Sequence, residues 1–142
     1  MKTLYKAVVT TTGGRGGHVQ SEDGILDLDL SMPKGLGGKG EKKTNPEQLF
    51  AAAYSACFGY ALQEVAKKQN TDLGDFSVTA TVGLGKTEEE ELQLTVILDT
   101  YIPGVDIETG EQLVNEAHET CPYSRAISDN VDVTLNLLLD ED

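Results

Sequence analysis

Residues 44–68 read TNPEQLFAAAYSACFGYALQEVAKK, and this stretch predicts the long helix that organises the fold. Asn45 suits the N-cap, Pro46 suits the first helical position, and Gln48 completes a pattern like a capping box. Apolar residues then recur at spacings of three and four, as on a buried helix face. They are Leu49, Phe50, Ala53, Cys57, Ala61 and Val65. Further apolar residues leave little of the middle polar, so we expect a sheet and a second subunit to surround this helix.

Alternating apolar residues predict strands on both sides of the helix. A hairpin with its turn at Asp23-Gly24 is expected before it, and a second hairpin after it. Two further helices and a closing strand complete the chain. The expected ranges are 18–22 with 25–30, 76–84 with 92–98, 106–119, 122–128 and 131–139. This order predicts an α+β fold, because strands and helices do not alternate regularly.

Length and charge limit the classes of function. A chain of 142 residues is the size of one domain, so we expect a single domain over 1–142. The formal net charge of -13 would repel a phosphate backbone and an anionic membrane surface, so neither nucleic acid nor membrane is an expected partner. The acidic runs at 88–91 and 140–142 are typical of solvated surface.

The cellular compartment can be inferred from what the chain lacks. Its first residues show no apolar core or cleavage site of a signal peptide, and no run approaches the roughly 18 apolar residues needed to cross a bilayer. We therefore expect a cytoplasmic protein. In that compartment a pair of cysteines is more often catalytic, redox-sensing or metal-binding than structural.

The two cysteines, Cys57 and Cys121, are the candidate reactive groups. Only a thiolate attacks, and burial within the long helix would raise the pKa of Cys57. Cys57 lies 12 residues after Asn45, about 18 Å along the helix, where the helix dipole has faded. A cationic side chain must therefore stabilise its thiolate.

Arg15 is the candidate for that cation. It stands between two pairs of glycines, which permit a tight loop that could bring a guanidinium to a buried site. A guanidinium so placed would need an anionic partner, for which Glu47 in the first helical turn is a candidate.

Cys121 has a different local setting. It precedes Pro122, so we expect it at the start of a short helix whose N-terminal amides would favour its thiolate. These arguments leave open which cysteine attacks first.

Several separated segments resemble one family, the Ohr branch of the Ohr/OsmC family of organic hydroperoxide resistance proteins. The segments are TNPEQLFAA leading to ACF at 44–58, CPYS at 121–124, GGR at 13–15 and the closing strand NVDV at 130–133. The resemblance spans nearly the whole chain and favours Ohr over OsmC proper. In one departure, Gly16 follows Arg15 where the family commonly has aspartate, so a carboxylate that could brace the loop is absent.

The resemblance implies a fold, a site and a reaction. It implies the OsmC-like fold, with β-hairpins packed around a long central helix in an intertwined homodimer. It implies that Cys57 attacks the peroxide, that Cys121 resolves the sulfenic acid as a disulfide, and that Arg15 and Glu47 activate the thiolate. No metal or bound cofactor is implied, and the implied reductant is dihydrolipoamide or a lipoylated protein. Phe50 and Tyr54 are candidates to line an apolar mouth for alkyl, aryl or lipid hydroperoxides.

Three different functions are compatible with parts of the sequence. A zinc site could use both cysteines with His18 and His118, but no C-x-x-C spacing supports one. A non-catalytic dimer that binds an apolar ligand would also explain the apolar helix, and a redox sensor would also use a disulfide between the two cysteines. Turnover with an external dithiol would distinguish a peroxidase from the binding dimer and from the sensor.

Overall fold

The computed structural model describes residues 1–140. Contacts within the chain cluster into two compact units, Met1–Leu49 and Phe50–Asp142. Glu141 and Asp142, which end the predicted acidic tail, lie outside the described residues. That the whole chain acts as one domain stays a prediction.

The first unit is built on a three-stranded antiparallel sheet. Its strands are β1 (Val9–Thr12), β2 (His18–Ser21) and β3 (Asp27–Asp29), in that order across the sheet. The predicted hairpin between β2 and β3 is confirmed. Gly24 at its turn has a φ of 77°, a left-handed conformation that glycine adopts without steric cost.

The predicted long helix is confirmed as α1 (Pro46–Lys68). The Asn45 side chain accepts a hydrogen bond of 2.9 Å from the Gln48 amide, as expected of an N-cap. The Gln48 side chain does not close a capping box but accepts a bond of 2.8 Å from the Thr44 hydroxyl. The start of α1 is therefore determined locally.

The sides of α1 differ in burial more than its composition suggested. The side chains buried in this chain include Tyr54, Phe58, Leu62 and Val65, whereas Cys57 is half-buried. Ala52, Ala56 and Tyr60 are exposed, Tyr60 by 62%. The single chain thus leaves one face of α1 open, and the expected covering by a second subunit stays a prediction.

The second unit carries the remaining predicted elements. The second hairpin is β4 (Ser77–Lys86) with β5 (Leu92–Tyr101), and the later helices are α2 (Ile107–Thr120) and α3 (Pro122–Ala126). The closing strand β6 (Val133–Leu138) pairs parallel with β5, so α2 and α3 form the connection between these two strands. The α+β prediction is confirmed.

The core of the second unit draws on α1, the sheet, and α2. Its largest fully buried side chains include Tyr54, Phe58 and Leu62 of α1, Leu98 of β5 and Leu113 of α2. Burying a large apolar side chain contributes about 1.5–3 kcal/mol. Cys121 belongs to this core and Cys57 packs against it, so the helices and the sheet that build the core also position both thiols.

Candidate active site

Cys57 and Cys121 come together in the second unit. Both are free thiols, Cys57 packs against the core cluster that contains Cys121, and Cys121 is near enough to raise the pKa of Cys57. Cys57 is half-buried on α1, whereas Cys121 has no exposed surface. Cys57 is therefore the thiol with exposed surface, and Cys121 is the enclosed one.

Cys121 is held at the junction of two helices. Its backbone N–H donates to the Ala117 carbonyl at 2.8 Å, and its own carbonyl accepts from the Arg125 amide at 3.0 Å. Pro122 begins α3, as expected for the first helical position. Cys121 thus ends α2 and precedes α3, and its backbone is bonded on both sides.

The surroundings of Cys57 disfavour its thiolate. Burial raises the pKa of the Cys57 thiol, and Cys121 raises it further through its charge and through the hydrogen bond between the two side chains. The backbone N–H of Tyr123 opposes this by donating to the Cys57 sulfur, which lowers the pKa. The net effect is to raise the pKa of the Cys57 thiol.

The expectation for the amides of α3 was wrong in one respect. They were expected to favour the Cys121 thiolate, but the Cys121 side chain makes no capping hydrogen bond with α3. The amide of Tyr123 in the first turn acts on Cys57 instead. Cys121 occupies the N-cap as expected, but its side chain is not bonded to the first turn, whereas the Tyr123 amide acts on the Cys57 sulfur.

Arg15 and Glu47 form the expected ion pair in the first unit. Nη1 of Arg15 lies 2.7 Å from Oε1 and 3.1 Å from Oε2 of Glu47. The side chains are 33% and 16% exposed, so water screens the pair only in part. One guanidinium nitrogen holds both carboxylate oxygens, which differs from the two-nitrogen fork common for arginine and leaves the other nitrogens for a further acceptor.

The loop that presents Arg15 depends on its glycines. Gly13, at the start of the 3-10 turn Gly14–Gly16, has a φ of 78°. A Cβ at Gly17 would lie 1.6 Å from the Thr12 carbonyl oxygen, so only glycine fits there. A Cβ at Gly16 would meet nothing within 4 Å. Gly16 is therefore not required by packing, and Arg15 is braced by Glu47 without a neighbouring aspartate.

The predicted substrate-binding aromatics lie on α1, Tyr54 one turn and Phe50 two turns before Cys57. Phe50 and Tyr54 make an edge-on contact with ring centroids 6.1 Å apart, and Tyr54 also contacts the Tyr123 ring. Phe50 is half-buried, but Tyr54 has no exposed surface. Phe50 can therefore meet a ligand as it stands, whereas Tyr54 serves the core in this arrangement.

The sequence did not point to a role for two polar residues next to the cysteines. The Tyr54 hydroxyl lies 2.6 Å from the Ser124 hydroxyl, and Ser124 lies 2.9 Å from Nδ1 of His118. In the sequence, Ser124 stands out only as part of the CPYS segment, and His118 only as a candidate zinc ligand. The one available signal is their closeness to Cys121 along the chain.

The suggested zinc site finds no set of ligands in the structure. Among residues 1–140, no group of three or more His, Cys, Asp or Glu side chains could hold a metal ion. His18, one of the suggested ligands, instead contacts Asp27 at 2.6 Å and Asp29 at 2.7 Å.

Comparison with known proteins identifies the family. The profile of the OsmC-like protein family matches residues 38–136. Organic hydroperoxide resistance protein OhrB of Bacillus subtilis is 47% identical over 94% of this chain and 98% of its own length. The chain belongs to the organic hydroperoxide resistance (Ohr) branch of the OsmC-like family. A second Ohr relative, from Xanthomonas axonopodis pv. citri, is 46% identical over 96% of both chains.

Solved structures of Ohr proteins share the fold. One from Legionella pneumophila superimposes with a TM-score of 0.92 at 49% identity, covering 97% of this chain and 100% of that one. Bacillus subtilis OhrB gives a TM-score of 0.87 at 47% identity, covering 96% of this chain and 100% of that one. The predicted OsmC-like fold is confirmed. Within the part of this Ohr chain that the structure describes, no helix is long and apolar enough to cross a membrane.

Proposed function

We propose that this Ohr protein reduces organic hydroperoxides to alcohols with its two cysteines. The names of its Bacillus and Xanthomonas relatives, organic hydroperoxide resistance proteins, support a role in peroxide detoxification. The observation that carries the chemistry is the contact between a half-buried Cys57 thiol and a fully buried Cys121 thiol. A reaction in which a hydroperoxide oxidises one sulfur and a second sulfur then forms a disulfide with it requires this contact.

The proposed reaction has three steps. The Cys57 thiolate attacks one peroxide oxygen, an S–O bond forms as the O–O bond breaks, and the leaving alkoxide takes a proton to become the alcohol. The Cys57 sulfenic acid then condenses with the Cys121 thiol, forming a disulfide and releasing water. An external dithiol of the lipoyl type reduces this disulfide by thiol exchange and ends as its own cyclic disulfide.

Arg15 and Glu47 have auxiliary roles in this proposal. The pKa of Cys57 is raised by burial and by Cys121, so a cation is needed to favour the thiolate. Arg15 would supply that charge and stabilise the developing charge on the leaving oxygen, while Glu47 holds the guanidinium. Phe50 would favour alkyl, aryl or lipid hydroperoxides over hydrogen peroxide by offering apolar surface to the substrate, with the buried Tyr54 ring packed against it.

The proposal extends to partners and location. The protein would act in the cytoplasm as a homodimer with two active sites at the subunit interface, and dihydrolipoamide or a lipoylated protein would be its reductant. No bound cofactor takes part in the steps above.

A coupled assay tests the proposal. Cumene hydroperoxide and hydrogen peroxide are compared as substrates with dihydrolipoamide as reductant, and we expect turnover with a preference for cumene hydroperoxide. Cys57→Ser should abolish turnover, whereas Cys121→Ser should consume one equivalent and leave a sulfenate at Cys57, detected by mass spectrometry. Full turnover by Cys57→Ser would reverse the assigned roles. No turnover by the wild type would favour a ligand-binding dimer or a redox sensor.

The role of Arg15 is tested separately. Arg15→Ala should raise the pKa of Cys57, so that the rate of alkylation by iodoacetamide reaches its midpoint at higher pH. Arg125→Ala is the matched control, because Arg125 is the only other arginine in the sequence. An unchanged profile in Arg15→Ala would remove Arg15 from the mechanism.

A further inference from the structure

A chain of hydrogen bonds runs beside the cysteine pair, from His118 through Ser124 to Tyr54. The two bonds measure 2.9 Å and 2.6 Å. Tyr54 and Ser124 are 0% and 2% exposed, whereas His118 is half-buried. The chain thus leads from the edge of the second unit into its core.

Each member of the chain belongs to a different helix of the site. Tyr54 lies on α1 one turn before Cys57, and His118 lies on α2 three residues before Cys121. Ser124 lies on α3, directly after Tyr123, whose amide donates to the Cys57 sulfur. The chain therefore ties together the three helices that carry the nucleophile, the resolving thiol and the amide.

Ser124 is the central link. Its hydroxyl has one proton and two lone pairs, so it can bond Tyr54 and His118 at the same time, and the tautomer of His118 sets which atom donates in that bond. A buried hydroxyl is costly to leave without a partner, which disfavours arrangements that separate the helices. Alanine at this position would break both bonds, whereas threonine would keep the hydroxyl.

Packing and hydrogen bonding by Tyr54 are separable. Its ring contacts the rings of Phe50 and Tyr123, both with centroids 6.1 Å apart. Phenylalanine would keep those contacts and lose only the bond to Ser124. The Tyr54 hydroxyl lies in the core with the buried Ser124 as its hydrogen-bond partner. Tyrosine therefore contributes a hydrogen bond here in addition to its ring contacts.

We infer that Tyr54, Ser124 and His118 are positioning residues that hold Cys121 against Cys57 for formation of their disulfide. For its place in turnover this inference rests on the proposed peroxidase function. In that step the S–O bond of the Cys57 sulfenic acid breaks, an S–S bond forms, and the departing oxygen leaves as water with the Cys121 proton. The two sulfurs, which are not bonded in the free thiols, must approach to about 2.05 Å. A misplacement of about 1 Å can slow such a step roughly a hundredfold.

The first experiment follows disulfide formation after one equivalent of cumene hydroperoxide. Ser124→Ala should slow this step by about tenfold or more, so that dimedone traps more Cys57 sulfenate. Ser124→Thr should restore the rate by keeping the hydroxyl. His118→Asn, which offers a polar atom near the position of Nδ1, should be faster than His118→Leu. If Ser124→Ala does not fold, Tyr54→Phe tests the same link with the ring retained.

Val114→Ala is the matched control for lost stability. Val114 is a buried residue of α2, 3% exposed, that is not part of the hydrogen-bonded chain. It should lower the melting temperature without slowing disulfide formation. A rate in Ser124→Ala equal to that of the wild type, or an equal slowing in Val114→Ala, would overturn the inference.

A second experiment separates this inference from the peroxidase proposal. The equilibrium between the dithiol and the Cys57–Cys121 disulfide is measured in glutathione buffers, which need no hydroperoxide. Ser124→Ala should lower the effective concentration of the two thiols by about tenfold, with recovery in Ser124→Thr. This result would stand even if the wild type reduced no hydroperoxide. An unchanged equilibrium in Ser124→Ala would refute the positioning role even if the wild type turned over.

Discussion

At the scale of single residues, Cys57 lies in surroundings that disfavour its thiolate. Burial and Cys121 both raise the pKa of Cys57, and the Tyr123 amide lowers it. Cys121 therefore makes the Cys57 thiol less acidic. In the proposed mechanism, the neighbour that traps the sulfenic acid would thus also lower the fraction of Cys57 thiolate that starts the reaction.

This conflict predicts a lower pKa of Cys57 when Cys121 is removed. In Cys121→Ala both the charge and the hydrogen bond that raise the pKa are lost, so the folded-state pKa should fall. The midpoint of the alkylation rate should then move to lower pH, measured with iodoacetamide and peptide mass spectrometry on reduced protein. Val114→Ala is the control for a cavity in the same core. A midpoint that stayed or rose would show that burial alone sets the pKa.

The loop around Arg15 allows a paired prediction on two neighbouring glycines. Gly16→Ala meets open space and should stabilise the protein by about 0.4–1 kcal/mol, because it reduces the entropy of the unfolded chain. Gly17→Ala should destabilise it, because its Cβ would lie 1.6 Å from the Thr12 carbonyl oxygen. Urea unfolding of both variants checks the difference. Equal stability of the two would contradict the turn geometry.

At the scale of elements, a cluster of titratable side chains joins the strands β2 and β3. His18 on β2 lies between Asp27 and Asp29 on β3, and Asp29 raises the pKa of His18 most. His18 in turn lowers the pKa of Asp29. All three side chains are exposed to water, so the contribution to stability is small.

The sign of the pH dependence follows from these directions. Because the folded pKa of His18 is raised above 6.5, its contribution is complete below that value and is lost as the pH rises through the folded pKa. The lowered pKa of Asp29 makes its contribution present above 3.8 and lost in stronger acid. Amide hydrogen exchange in β2 and β3, corrected for intrinsic rates, should therefore be slower near about pH 6 than about pH 8. His18→Gln should abolish this difference, and its persistence in that variant would exclude His18 as the cause.

At the scale of the whole molecule, we expect two copies of the chain to form a homodimer that covers the open face of α1, in spite of their net negative charge. We expect light scattering to give twice the chain mass of 15.2 kDa. Two chains of net charge -13 repel each other, so added salt should strengthen the dimer by screening. Sedimentation at low and moderate ionic strength measures this. A mass of one chain at every salt concentration would contradict the homodimer.

Much of the fold was predictable because local signals mark it. Asn45 and Pro46 define the start of α1, alternation marks β4 and β5, and Asp106 caps α2 through its bond of 2.8 Å to the Thr109 amide. The pairing of Arg15 with Glu47 was also predicted, since a guanidinium needs an anionic partner and Glu47 was a candidate in the first turn of the helix. The parallel pairing of β6 with β5 was not, because periodicity carries no information on which strands become neighbours.

The amino-acid sequence by itself determined the ends of the helices, the strand pattern and the presence of two thiols with a candidate cation, because neighbouring residues act on each other whatever the rest of the chain does. Only the tertiary structure decided that the Tyr123 amide serves Cys57 and that Tyr54 meets Ser124, 70 residues away. Contacts at such separations depend on the path of the whole backbone. The identities of the residues permit these contacts, and packing of the core selects them.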